Sequence, residues 1–151
     1  MFIIDDFEVP FIPMQKNYSE WHSFDSRWEN DNFAALVSGV AQVLYRTQDA
    51  VGYEIWQRES HTDLHIDKDE ELYRRRQILT YPICSIVFYY DVQDLEGGEL
   101  YSDSWEITPK KNRLVVFGPN VTHGVRPFTG IRKSVLVNPW AHELGHIPQF
   151  F

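Results

Sequence analysis

Sulfur chemistry is almost missing from this chain. Cys84 is the single cysteine among 151 residues, so no disulfide can close within it and no CxxC redox or zinc pair can be built. Cys84 lies in an apolar run and is expected to be a small buried hydrophobe rather than a reactive thiol. Long apolar runs are missing too. No stretch approaches the roughly 20 apolar residues of a membrane helix. The opening MFIIDDFEVP lacks the basic flank and long apolar segment of a signal peptide, so the expected location is cytoplasmic. Positive charge is scarce: 14 Lys and Arg against 22 Asp and Glu give a formal net charge of −8. An acidic surface repels phosphate backbones, which argues against nucleic acid as a partner. No repeat, low-complexity tract or Gly/Ser linker interrupts the chain. One domain over residues 1–151 is therefore expected.

What is present is aromatic and β-forming. Hydrophobic residues make up 43% and aromatic ones 15%, which favours a packed β core. Residues 31–47 carry the best helix signal, with Asp31 as cap and Phe33, Leu36, Val37, Val40 and Leu44 at helical spacing. The aromatic segment Tyr18 to Trp28 suggests a short helix. From Val51 onward the texture changes to short β-rich runs: VGYEIWQ, LHID, RQILTY, CSIVFYYDV, GELYS, WEI, RLVVF, HGVRP and IRKSVLVN. Turn residues such as Gly97-Gly98, Gly118-Pro119-Asn120 and Gly130 separate them. The expected fold is mainly β, a double-stranded β-helix (jelly roll) with one main N-terminal helix packed against it. Residues 1–50 form a helical support, 51–140 the jelly-roll core and 141–151 a C-terminal tail.

The tail holds the most legible motif, His142-Glu143-Leu144-Gly145-His146. Two histidines four apart on a helix can hold Zn²⁺, with the glutamate between them as general base. Here Pro139 precedes the motif, Gly145 sits inside it and Pro148 follows it, leaving room for two helical turns at most. No His, Asp, Glu or Cys follows His146 to act as a third ligand. The sequence favours a polar tail over a zinc peptidase, which is kept as a rival.

A second constellation lies in the β region. His65 and Asp67, at i and i+2, share a strand face, and His123 supplies a further imidazole from another strand. Two imidazoles and one carboxylate leave half an octahedron open, an arrangement suited to non-haem Fe(II). If Phe128-Thr129 forms a two-residue hairpin turn, His123 faces Ser134 and Val125 faces Arg132. His123, Arg132 and Ser134 then share one face. Arg132 could there pair with the far carboxylate of a chelating dicarboxylate, with Ser134 adding a hydroxyl. A three-residue loop would reverse the parity and send Arg132 outward.

In order, H-x-D, GGE, H and R-x-S resemble the Fe(II)/2-oxoglutarate-dependent dioxygenases, particularly the prolyl-4-hydroxylase-like branch. The resemblance covers essentially the whole chain and implies that His65, Asp67 and His123 ligate iron. It also implies that Arg132 and Tyr89, with Ser134 beside them, bind the distal carboxylate of 2-oxoglutarate. Tyr89 in SIVFYYDV matches the family's YLN-like strand, Gly97-Gly98-Glu99-Leu100 its GGET-type turn, and FIIDDF the start of these domains. The implied cosubstrates are 2-oxoglutarate and O₂, with ascorbate as a reductant. The implied reaction is hydroxylation of a prolyl or other amino-acid residue in a peptide or protein, or of a small amino-acid-like substrate, releasing succinate and CO₂. The segment Lys68 to Tyr81 and the stretch YEIWQRESHTD before His65 depart from the family pattern, and both lie where the substrate pocket is shaped. Asp67 is retained, which favours hydroxylation over the halogenation of relatives that replace it. Besides the peptidase, the rival is a non-catalytic, metal-binding cupin-like protein. The bland alternatives are ordinary strand histidines, a turn aspartate and a surface arginine. His61 forms a decoy pair with His65, and Arg74-Arg75-Arg76 is expected to be a solvated charged loop.

Overall fold

The computed structural model describes residues 1–9, 20–23 and 32–146. Among these the chain is mainly β, with two helices and two antiparallel sheets. The larger sheet contains β1 (Phe2–Ile4), β2 (Glu20–Ser23), β3 (Gly52–Arg58), β5 (Ser85–Gly97), β8 (Leu114–Phe117) and β10 (Phe128–Trp140), in the order β1-β8-β5-β10-β3-β2. The smaller contains β4 (Thr62–His65), β6 (Leu100–Ser102), β7 (Glu106–Ile107) and β9 (His123–Val125), in the order β4-β9-β6-β7. No helix among the described residues is long and apolar enough to cross a membrane.

Period-two alternation splits the core into two layers. On β5, Ile86 and Phe88 join Val135 and Val137 of β10 against Phe33, Ala34, Val37 and Ala41 of helix α1 (Asn32–Ala41). The intervening Val87 and Tyr89 face the other way, onto Leu100, Val125, Val115 and Phe117. Each such apolar side chain, fully buried, contributes about 1.5–3 kcal/mol.

Several elements differ from the sequence expectations. Helix α1 ends at Ala41 rather than 47, and turn bonds such as Leu44 N–H to Ala41 O replace the α pattern. Leu36 and Leu44 are exposed, so the buried face is Phe33, Ala34, Val37 and Ala41. Glu20–Ser23 is a strand paired with β3, not a helix. The remainder of that aromatic segment, like the Asp31 cap, lies outside the described residues. RQILTY is no strand. Helix α2 (Glu70–Arg76) takes in its first residue and is capped by the Asp69 carboxylate, which accepts the Leu72 N–H. Acidic Glu70 and Glu71 open α2 and Arg74, Arg75 and Arg76 close it, matching the helix dipole at both ends.

The expected hairpin between His123 and Ser134 does not form. β9 pairs with β4 and β6, whereas β10 pairs with β5 and β3 in the other sheet. The chain changes sheets at Arg126-Pro127, where proline has no N–H to continue a ladder. Phe128 and Thr129 already belong to β10. Gly130 sits at a bulge, where a Cβ would meet the Asp94 carbonyl oxygen at 2.3 Å.

Candidate metal centre

β4 and β9 place two histidines in direct register. His65 ends β4, His123 begins β9, and the two are Cα partners. Their rings lie 4.5 Å apart between centroids. Each ring is anchored at Nδ1, His65 to the Asp63 carbonyl (2.9 Å) and His123 to the Val121 carbonyl (2.8 Å). A carbonyl only accepts, so Nδ1 carries the proton of each neutral ring, which leaves the Nε2 lone pair for a metal once any second proton is lost.

Asp67 lies beyond the end of β4, in coil rather than on the strand. Its Oδ1 is 3.4 Å from His65 Nε2 and 3.6 Å from His123 Nε2. Its Oδ2 accepts from Ser85 Oγ–H at 3.0 Å and from Asn138 Nδ2–H at 3.3 Å. The side chain of His123 is 5% exposed and that of His65 40%, so the centre is sealed on one side and open on the other.

Electrostatics follow from this placement. The hydrogen bond to Asp67 raises the pKa of His65, outweighing its desolvation. Burial lowers that of His123, despite the nearby Asp67 charge. For Asp67 burial opposes ionisation, yet the two histidines and Asn138 together hold its pKa below the usual carboxylate value. One ligand atom from each of His65, Asp67 and His123 falls within 4.8 Å of the others. Two nitrogens with free lone pairs and one ionised oxygen suit a divalent transition metal that keeps positions open.

A cavity of about 320 Å³ adjoins the three residues. Its wall includes Glu54, Trp56 and Arg58 from β3 and Leu136 from β10. Two residues further along the same inner faces, Tyr89 of β5 and Ser134 of β10 are direct cross-strand partners. Arg132 joins them: Nη1–H reaches Ser134 Oγ and Nη2–H reaches the Tyr89 hydroxyl, each at 3.4 Å. Its Nε–H donates to the Gly98 carbonyl at 2.7 Å. Arg132 is 2% exposed, and no carboxylate among the described residues lies within ion-pair distance. Burial lowers its pKa and raises that of Tyr89. Gly98 is glycine for two reasons: its φ is +77°, and a Cβ would meet Arg132 Cδ at 2.9 Å. The three residues expected to lie together thus do so, by β5–β10 pairing rather than through the hairpin.

The sequence model of the 2OG-Fe(II) oxygenase superfamily matches residues 51–142, more than half of the chain. The chain belongs to the 2OG-Fe(II) oxygenase superfamily. Membership implies Fe(II), 2-oxoglutarate and O₂ as the cofactor and cosubstrates. Among curated proteins none matches the sequence. Solved structures similar to it include a 2OG-Fe(II) oxygenase family oxidoreductase from Burkholderia pseudomallei, at 16% identity and TM-score 0.46, over 66% of this chain and 48% of that one. A prolyl 4-hydroxylase structure from Phytophthora capsici aligns at 14% identity and TM-score 0.49, over 86% of this chain and 52% of that one. A cupin-2 domain protein from Shewanella frigidimarina aligns at 12% identity and TM-score 0.38, over 58% and 69%. The chain spans about half the length of the two oxygenase structures.

The superfamily match ends at His142, the first residue of the HELGH segment, and the geometry of that segment is not that of a zinc site. Residues 141–146 form turns rather than a helix. Gly145 N–H donates to Asp69 Oδ2 at 2.7 Å, and Arg75 donates to the Gly145 carbonyl, fastening the tail to α2. The His146 side chain is 67% exposed. His61 is also exposed and lies outside the cluster. Sequence reasoning missed Ser85 and Asn138, and it missed Glu54, Trp56 and Arg58. The alternation of VGYEIWQR could have grouped the latter three on one face; nothing in the sequence pointed Ser85 or Asn138 at Asp67.

Proposed function

We propose that this chain is an Fe(II)- and 2-oxoglutarate-dependent dioxygenase that hydroxylates a C–H bond, built as a single jelly-roll domain. The observation that carries the reading is the convergence of His65 Nε2, His123 Nε2 and Asp67 Oδ1, with both rings anchored at Nδ1. These three residues would hold the iron. When bound, Fe(II) with 2-oxoglutarate and O₂ supplies the oxidising chemistry, with succinate and CO₂ as coproducts.

The chain's own contribution is charge and shape. Arg132 receives the distal carboxylate of 2-oxoglutarate, assisted by the Tyr89 and Ser134 hydroxyls. Support comes from its burial: only the Glu99 charge among described carboxylates acts on it, and from beyond ion-pair distance, so a buried cation this weakly compensated favours an incoming anion. Two of its three contacts are long, at 3.4 Å, so the guanidinium fork has donor capacity to spare. Val87, Val125 and Leu136 give the cavity an apolar wall. The proposed substrate is a prolyl or other amino-acid residue in a peptide, or a free amino acid, on the resemblance of the ordered H-x-D, GGE, H and R-x-S motifs to the prolyl-4-hydroxylase-like branch.

The test is succinate formation from 2-oxoglutarate under O₂ with Fe(II)-loaded protein, screened against prolyl peptides and free amino acids. Substrate-stimulated succinate, lost in His123→Ala, supports the proposal. Tight metal binding with no turnover against any candidate would favour the cupin-like binder instead.

A further inference from the structure

We propose that Asn138, with Ser85, is a positioning residue for the Asp67 carboxylate, holding Oδ2 so that Oδ1 alone faces the metal. This rests on the reading of the centre given above. The two histidines are placed by strand pairing, because His65 and His123 are direct register partners. Asp67 has no such support, since the ladder of β4 ends at His65. A carboxylate at the end of two rotatable bonds can offer either oxygen, or both, to a neighbouring cation. Here the choice is made by two donors on the larger sheet. Ser85 at the start of β5 donates at 3.0 Å and Asn138 near the end of β10 at 3.3 Å, both to Oδ2. They are 3% and 2% exposed and sit on the two central, mutually paired strands. The clamp is therefore anchored in the best-supported part of the fold.

Asn138 shows that the clamp works against stability. The carboxylate only accepts, so the amide must turn its NH₂ towards Asp67. Its Oδ1 then points where no described residue donates, and that atom is buried without a hydrogen-bond partner. A buried orphan acceptor destabilises a fold, whereas an apolar residue of the same size would leave none. Asparagine at this position is best explained by what its other end does. Loss of an outer partner of a metal ligand typically weakens metal binding about 10–100-fold.

The experiment compares wild type with Asn138→Leu, Ser85→Ala and Ser85→Thr, using Co(II) as an air-stable probe. Calorimetry gives the Co(II) affinity, visible spectroscopy the ligand field, and thermal unfolding the stability of the metal-free protein. The proposal expects metal-free N138L to unfold at or above the wild-type temperature. It expects its Co(II) affinity to fall about 10-fold or more, with an altered visible spectrum. Ser85→Ala should weaken Co(II) similarly, and Ser85→Thr, which keeps the hydroxyl, should restore it. An N138L affinity within threefold of wild type with an unchanged spectrum overturns the proposal. If N138L does not fold, the serine pair decides: equal affinities in Ala and Thr overturn it. A wild type that binds no Co(II) overturns the metal centre itself, an outcome separate from a wild type and N138L that bind equally well.

Discussion

Replacing Arg132 with methionine separates what that arginine does for the fold from what it does for a ligand. Methionine fills much of the volume of the arginine stem and removes the charge. In the ligand-free protein two effects oppose one another. The Gly98 carbonyl loses its 2.7 Å donor, a cost of about 1–3 kcal/mol for a stranded buried acceptor. Against this, a buried cation without a carboxylate partner among the described residues is removed, and such replacements are often neutral or stabilising. The net loss should stay below about 2 kcal/mol. For 2-oxoglutarate nothing offsets the change. Two charge-assisted hydrogen bonds at about 1.5–3 kcal/mol each amount to about 3–6 kcal/mol, a weakening of about 10²–10⁴-fold at 1.4 kcal/mol per decade. Anaerobic titration of the Fe(II)-loaded protein with 2-oxoglutarate reads the affinity, and urea unfolding reads the stability. A 2-oxoglutarate affinity within threefold of wild type would refute the role given to Arg132. A collapse of stability with unchanged affinity would make it a structural residue.

Other predictions follow from the same geometry. Above pH 6.5, the stability of the metal-free protein should decline with rising pH as His65, whose pKa is raised by its hydrogen bond to Asp67, loses its proton. A group with a raised folded pKa contributes fully below its unfolded pKa and not above its folded one. His123, with its lowered pKa, works in the opposite direction, and its contribution fades as the unfolded imidazole loses its proton above pH 6.5. Asp67→Asn should flatten that pH dependence in thermal melts. Asp69→Ala removes the cap on Leu72 N–H and strands Gly145 N–H. It should cost about 1.5–5 kcal/mol in urea unfolding and release the tail to proteolysis. Glu143→Gln should leave metal affinity and succinate formation unchanged, because the HELGH turns hold no metal-ligand geometry; a loss of peptide cleavage in that variant would revive the peptidase.

How legible was all this in the residues? His65, Asp67 and His123 were readable because metal chemistry needs few residue types and H-x-D is a local string. Arg132, Tyr89 and Ser134 are grouped by their order along the chain and do lie together, yet the hairpin expected to set Arg132 and Ser134 beside His123 does not form. A local hairpin predicts contacts within one sheet, whereas Pro127 ends one ladder and starts the chain into the other sheet. That crossing has no local signature beyond the proline. The α2 segment shows the opposite failure. Asp69, the acidic first turn and the arginines of the last turn were all visible, but the following β-branched and aromatic residues drew the strand assignment onto RQILTY. Ser85 and Asn138 were unreadable because their role depends on distances between residues far apart in sequence.

On the proposed reading, His65, Asp67 and His123 bind Fe(II) in a form that also accepts 2-oxoglutarate. Adding both anaerobically and recording the visible spectrum tests it most directly. A weak metal-to-ligand charge-transfer band is expected in wild type and not in Asp67→Ala. No band in wild type, or the same band in the variant, would contradict it.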